Sequence, residues 1–266
     1  MKVYIMTDLE GSAGIAMAQD YSSPGDRYYE YAREIVTLET SAAVQGCLDA
    51  GATEVLVVDG HGAGAINPLL LHPEAKLLFG RPIGYPFGCD DTFYAAMMVG
   101  QHAKSNTDGG HISHTGSFEV EDETINGVSV GEMGVNMLFA AYFGVPTVLV
   151  TGDVAAAEEA RALVPEIETA AVKQGLKRGA ATGLTGVENG EFNGAAIHLH
   201  PHKARELIRR EACKAVERRA EIKPFWLEPP YERVMVLRKT ADTPQRVGRS
   251  TASDFMELLE KGLEWE

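Results

Sequence analysis

Cysteine is scarce: Cys47, Cys89 and Cys213 are the only three in 266 residues, and they stand far apart. Odd in number and without a Cys-x-x-Cys pair, they exclude a disulfide framework and a thiolate zinc site. Any zinc would have to be held by histidine and carboxylate. Basic residues are also few, 24 Lys and Arg against 38 Asp and Glu, for a formal net charge of −14. That balance argues against a nucleic-acid partner, whose phosphates need basic surface, and implies a solvated acidic exterior with mild attraction for cations. No segment approaches the roughly 18 consecutive apolar residues of a membrane span. The N-terminus also lacks a basic region followed by an apolar signal stretch. The expectation is a soluble cytoplasmic protein with no membrane partner.

What is present suits a globular α/β protein, with 45% hydrophobic and 23% charged residues. Strand-like runs at Val3 to Thr7, Glu54 to Asp59 and Thr147 to Thr151 each break at Gly or Asp and alternate with helix-like stretches. The stretch from Tyr28 to Ala50 reads as a helix whose apolar residues spread around most of its circumference, so it should be buried on several sides by another layer or a subunit. Ile112 to Phe118 reads as a strand, and Thr124-Ile125-Asn126-Gly127-Val128 carries an Asn-Gly hairpin signal. The fold class is therefore a layered α/β/α arrangement with a mixed β-sheet.

Further helices are expected at Gly131 to Phe143, after the N-cap Asp153, at Pro201 to Arg219 and at Ser253 to Leu263, with a strand at Val234 to Leu237. Residues 1–266 read as one catalytic unit, within which a smaller C-terminal lobe from about residue 165 to 266 is compatible with the pattern. No repeat and no flexible linker marks that boundary.

The first strand closes on Asp8-Leu9-Glu10-Gly11, two acids at a spacing that puts both on one face of an extended chain. Open α/β sheets build their sites at such strand ends. Taken alone, Asp8 reads first as a turn cap. The run Val55-Leu56-Val57-Val58-Asp59-Gly60-His61 repeats the arrangement and presents His61, whose bland reading is a surface histidine in a glycine turn. Asp59 reads as a turn cap or an orienting group ahead of a ligand. Ala95 to Gln101 is a third apolar run, ending on His102. Glu132 opens a helix, where an acid is favoured by the helix dipole alone.

Together Asp8, Glu10, His61, His102 and Glu132 form a mixed N/O donor set suited to zinc and larger than one catalytic zinc takes. A pair of ions sharing one carboxylate would use all five. Two ions about 3.5–4 Å apart can activate a water and hold an attacked carbonyl oxygen, which is hydrolytic chemistry. Rival readings are a dimetal phosphoesterase or other small-amide hydrolase on the same donors, and a non-catalytic nucleotide-binding module using His61-Gly62-Ala63-Gly64. The glycine loop completes neither Gly-x-Gly-x-x-Gly nor a Gly-Lys-Ser/Thr ending, and no Lys or Arg cluster stands near the donors to meet phosphate. His111 and His114, three apart on an expected strand, should face opposite ways.

Over these residues the chain resembles the D-aminopeptidase family of self-compartmentalising binuclear zinc peptidases. The resemblance is carried by Asp8-Leu9-Glu10-Gly11, Asp59-Gly60-His61, Leu71-His72-Pro73-Glu74-Ala75, Asp90-Asp91-Thr92-Phe93, Gly100-Gln101-His102-Ala103, Ser113-His114, Gly131-Glu132-Met133-Gly134 and Ala170-Ala171-Val172-Lys173-Gln174. It spans most of the chain and weakens after about residue 180. It implies two zinc ions per subunit, with Asp8 bridging, Glu10 and His61 on one ion, and His102 and Glu132 on the other. It also implies His114 as the catalytic histidine, leaving His111 structural or solvent-facing. The implied activity is removal of the N-terminal residue of short peptides with D-residue preference, in a homo-oligomer such as a decamer. Met6 departs from the serine that the family tends to carry two residues before the bridging Asp.

Overall fold

Apolar runs that end on acids or histidines become the centre of a parallel sheet in the computed structural model, which describes residues 1–266. In chain order the first half contains β1 (Lys2–Thr7), α1 (Ala18–Tyr21), α2 (Tyr29–Asp49), β2 (Glu54–Asp59), β3 (Ala75–Leu78), β4 (Ala95–Gln101), β5 (Val120–Ile125), β6 (Val128–Ser129) and α3 (Glu132–Tyr142). The second half contains β7 (Thr147–Asp153), α4 (Val154–Leu163), β8 (Glu168–Gly175), α5 (Gly186–Phe192), β9 (Ala196–His198), α6 (Pro201–Glu217), β10 (Tyr231–Leu237), β11 (Arg246–Ala252), α7 (Phe255–Glu260) and β12 (Glu264–Trp265).

The main sheet has seven strands in the order β3-β2-β1-β4-β7-β8-β9, parallel except for β9. Every residue of β4 and β7 is buried, as expected of parallel strands covered on both faces. Helices α2 and α6 pack on each other and against the sheet, as do α3 and α4. The broad burial expected of the Tyr28 to Ala50 helix is thus supplied within the chain, by the sheet and α6. At the helix crossing, a Cβ on Gly46 would stand 2.3 Å from the Arg209 carbonyl oxygen, so the two backbones meet only because this residue is glycine.

A second, antiparallel sheet has the order β12-β11-β10-β5-β6. Its β5–β6 hairpin turns at Asn126 and Gly127 with φ of 50° and 75°, the left-handed pair that the Asn-Gly signal implies. Asp153 and Asp254 cap α4 and α7 with their side chains, and Pro201 opens α6. The layered α/β class with a mixed sheet agrees with the sequence reading. No helix is long and apolar enough to cross a membrane.

Two expectations are corrected. Ile112 to Phe118 is a loop with one isolated bridge, Thr115 to Ser117; Ile112 has a left-handed φ of 55°, which no strand accommodates. The last helix stops at Glu260, short of Leu263, because Lys261 turns extended and leads into β12. The segment from about residue 165 onward supplies β8 and β9 to the main sheet and β10, the strand expected near Val234 to Leu237, with β11 to the second.

Candidate metal centre

Asp8, His61 and His102 follow the carboxyl ends of β1, β2 and β4, three adjacent parallel strands. From β1 the chain runs outward to β2 and β3 on one side, and later elements build outward from β4 on the other. The β1/β4 boundary is therefore the switch point where open sheets place their sites. Past the strand ends the two segments stay in backbone contact: Asp8 N–H donates to Val99 O and Gly11 N–H to Gly100 O, both at 2.8 Å. A Cβ on Gly11 would stand 2.0 Å from the Gln101 oxygen, and one on Gly100 2.4 Å from the Asp8 oxygen. Those two glycines bring Asp8 alongside His102.

All five predicted donors and His114 gather in one place. Glu10 Oε1 is 3.2 Å from His61 Nε2, and Asp8 Oδ2 is 3.3 Å from His102 Nε2. Glu132 Oε1 is 3.4 Å from His102 Nε2 and 3.6 Å from His114 Nε2. Donor atoms of Asp8, Glu10 and His61 lie within 4.8 Å of one another, and so do those of His102, His114 and Glu132. Asp8 joins the two groups through His102. Glu132 does not merely complement its helix: it turns toward the histidines and accepts a hydrogen bond from Gly116 N–H at 2.7 Å.

The ring of His114 stacks on His102 at a centroid distance of 3.9 Å. His102 Nδ1 sits 2.9 Å from Ala103 O, and His114 Nδ1 2.9 Å from Ile112 O. Assigning the proton to Nδ1 in each makes it the donor and turns the Nε2 lone pair into the site, the orientation a ligand or a base requires.

Burial pushes the Asp8 carboxyl up to about 8, with the Glu10 charge adding to it. Burial acts the same way on Glu10, but the charge and hydrogen bond of His61 overcome it and hold Glu10 well below the usual carboxylate range. Glu132 is likewise brought down to about 2, burial being outweighed by its pairing with His102. Against the pull of burial, Glu10 raises His61 to about 9, and Glu132 and Asp8 raise His102 well above an ordinary imidazole. Burial and then the His102 charge lower His114. Imidazolium rings here neutralise buried carboxylates, a role that divalent cations would take over. Asp8 Oδ2 and Glu10 Oε2 are buried without a hydrogen-bond partner, an unfavourable state that a cation would relieve. The donor set and these two oxygens fit zinc.

Supporting residues complete the site, and several carry no signal of that role in the sequence. Asp59 is no ligand: its carboxylate accepts from Ala65 N–H at 2.8 Å and Ile66 N–H at 3.3 Å, holding the loop that carries His61. Arg81 clamps the same loop through the carbonyls of Asp59, His61 and Gly62. Lys173, fully enclosed, donates to the carbonyls of Glu10 and Ile15. Glu39 accepts from Ala13 N–H, His198 from Gly14 N–H, and His111 Nε2 meets Ala16 O at 3.0 Å. His111 is thus structural, and it is buried rather than solvent-facing.

A cleft of ≈ 750 Å³ opens over Asp8, Glu10, His61, His114 and Glu132, and no Lys or Arg lines it. The D-aminopeptidase family model matches residues 1–246. The chain belongs to the D-aminopeptidase family. A D-aminopeptidase of Bacillus subtilis (strain 168) is 37% identical over 240 residues, covering 88% of this chain and 80% of that protein. A solved structure, the Zn-dependent D-aminopeptidase DppA from Bacillus subtilis, a self-compartmentalizing protease, superposes with a TM-score of 0.84 at 30% identity. That superposition covers 98% of this chain and 94% of DppA. Family membership agrees with the resemblance carried by the motifs, and the fold match extends past residue 180, where those motifs thin out.

Proposed function

We propose that this protein is a zinc-dependent aminopeptidase that removes the N-terminal residue from short peptides, with preference for D-residues, using two zinc ions per subunit. The observation that carries the reading is the position of Asp8, adjacent both to Glu10 and His61 and to His102 and Glu132. Glu10 and His61 would hold one ion, His102 and Glu132 the other, and Asp8 both. Bound there, zinc lowers the pKa of coordinated water and polarises a carbonyl oxygen.

The protein's own groups then orient and protonate. His114, neutral at physiological pH because its pKa is lowered, presents Nε2 to take a proton and pass it to the leaving amine. No Lys or Arg lines the cleft to meet the charge of a phosphoester. A phosphate-cradling role for the glycine loop is opposed by Asp59, which already occupies the Ala65 and Ile66 amides.

We further propose that all 266 residues act as one catalytic unit in a closed homo-oligomer such as a decamer. The similarity to DppA, a self-compartmentalizing protease, supports an enclosed assembly, and Leu69 and Val187, 91% and 72% exposed, supply apolar surface for subunit contacts. Three free cysteines suit the reducing cytoplasm. The decisive experiment combines elemental analysis with hydrolysis of D-Ala and L-Ala p-nitroanilides as zinc is removed and restored. Activity should disappear with the metal and return with it; full activity in verified metal-free protein would refute the proposal. A monomer by light scattering would refute the assembly.

A further inference from the structure

The site has a second arm. A pocket of ≈ 430 Å³ starts at Gly60, Gly116, Ser117 and Glu132, which also border the metal cleft. Its walls come from both sheets and the helix between them: Met6 of β1, Val120 of β5, Val135 of α3 and Met235 of β10, with Tyr85 and Phe87 from the loop before β4. The charges inside it are already matched, since Arg233 Nε donates to Glu123 Oε1 at 2.8 Å. The remaining charged wall residue, Glu132, stands at the border shared with the metal cleft and is a proposed zinc donor, so no free charge in this arm is left to neutralise a charged side chain. The other arm is polar, lined by Gln19, Ser22, Ser23, Glu119 and Glu191.

Resting on the aminopeptidase reading, we infer that the apolar pocket is the subsite for the side chain of the substrate's N-terminal residue, and that it selects uncharged apolar side chains larger than methyl. A terminal residue has only one neighbour, so its side chain can occupy the smaller of the two pockets. The departing portion of a peptide varies in length and needs the wider arm. The pocket's volume lies in the range of about 300–1,000 Å³ that accommodates whole small ligands, so an alanine methyl leaves most of its apolar wall uncovered. Filling that wall is worth about tenfold or more in selectivity for each methylene.

The test measures kcat/KM of the zinc-loaded protein for aminoacyl p-nitroanilides bearing Ala, Leu and Phe, in both the D and the L series so that stereochemistry and side chain are read separately. The expected result is a Leu over Ala preference of about tenfold or more in the cleaved series. Val135→Phe, which fills the pocket, should lower the Leu/Ala ratio by about tenfold, and Met235→Ala, which enlarges it, should raise the Phe/Leu ratio. The two substitutions sit on different elements and act in opposite directions, so poor folding of one does not remove the test. Ratios unmoved in both active variants would overturn the subsite while leaving the peptidase reading intact. So would movement only of the ratio between Ala-Gly and Ala-Leu dipeptides, which would place the pocket on the leaving side. No hydrolysis of any aminoacyl substrate by zinc-loaded protein would overturn the peptidase reading and the subsite together.

Discussion

Asp8 Oδ2 stands 3.3 Å from His102 Nε2, across the junction of β1 and β4, while Asp8 also shares a donor cluster with Glu10 and His61. In the proposed two-zinc site a carboxylate in that position would serve both ions, whereas Glu10 would serve one. Asp8→Asn preserves shape and removes the charge, and it should leave well under one bound ion per chain by elemental analysis; Glu10→Gln should retain about one. Equal metal content in the two variants would count against Asp8 as the shared ligand.

His114 stacks on His102 and approaches Glu132, close enough to be read as a third ligand of that group. The catalytic reading makes a different prediction. His114→Ala should keep normal zinc content and lose roughly 10²–10⁴-fold in kcat, the usual contribution of a general acid or base. Loss of one ion instead would make it a ligand.

The ends of β1, β2 and β4 are legible in the sequence because each is a local signal, an apolar run closing on an acid, a glycine or a ligand-type side chain. The Asn126-Gly127 hairpin and the Asp153 cap are legible for the same reason. Glu132 is not separable from an ordinary helix-start acid until α3 brings it against His102 and His114. The choice of His114 over His111 rests on family resemblance. The strand expected there fails because the neighbouring main chain is held by side chains: the His111 amide donates to Asp153, and the Gly110 carbonyl accepts from Asn193. Lys173 lies within Ala170-Ala171-Val172-Lys173-Gln174, where neither spacing nor neighbours in the chain point to a task for it. Only tertiary packing reveals that its ammonium is buried against the Glu10 carbonyl.

Lys173 fixes the main chain of a proposed ligand, and Lys173→Met keeps its length while removing the donor. Zinc affinity should weaken by roughly 10–100-fold in a chelator competition, as for other groups that orient metal ligands. A lowered melting temperature with unchanged affinity would reduce Lys173 to a packing role.

Gly11 tests the backbone approach itself. Gly11→Ala would set a Cβ 2.0 Å from the Gln101 oxygen, which must part the segments bearing Asp8 and His102. Overpacking of this kind costs about 1–3 kcal/mol. The expected outcome is a lower denaturation midpoint together with impaired zinc binding, whereas an unchanged midpoint and full metal content would show that the junction yields without cost.

Metal loading should be coupled to proton release. Without metal, His61 is raised to about 9 and Asp8 to about 8, so both are largely protonated near neutral pH, and His102 is shifted the same way. Zinc requires neutral imidazoles and ionised carboxylates, so binding must expel those protons. Glu10 and Glu132, held low, and His114, shifted down, have none to give at that pH. The sign follows: apparent affinity increases as pH rises through about 8 and about 9, the values for Asp8 and His61, and levels off only once His102, also shifted up, has lost its proton. Calorimetric titration of metal-free protein with zinc near neutral pH, in buffers of different ionisation enthalpy, should give a binding heat that varies linearly with buffer, its slope being the number of protons released. A slope of zero would mean that the donors are already deprotonated before the metal arrives, and the imidazolium–carboxylate pairing would then be wrong.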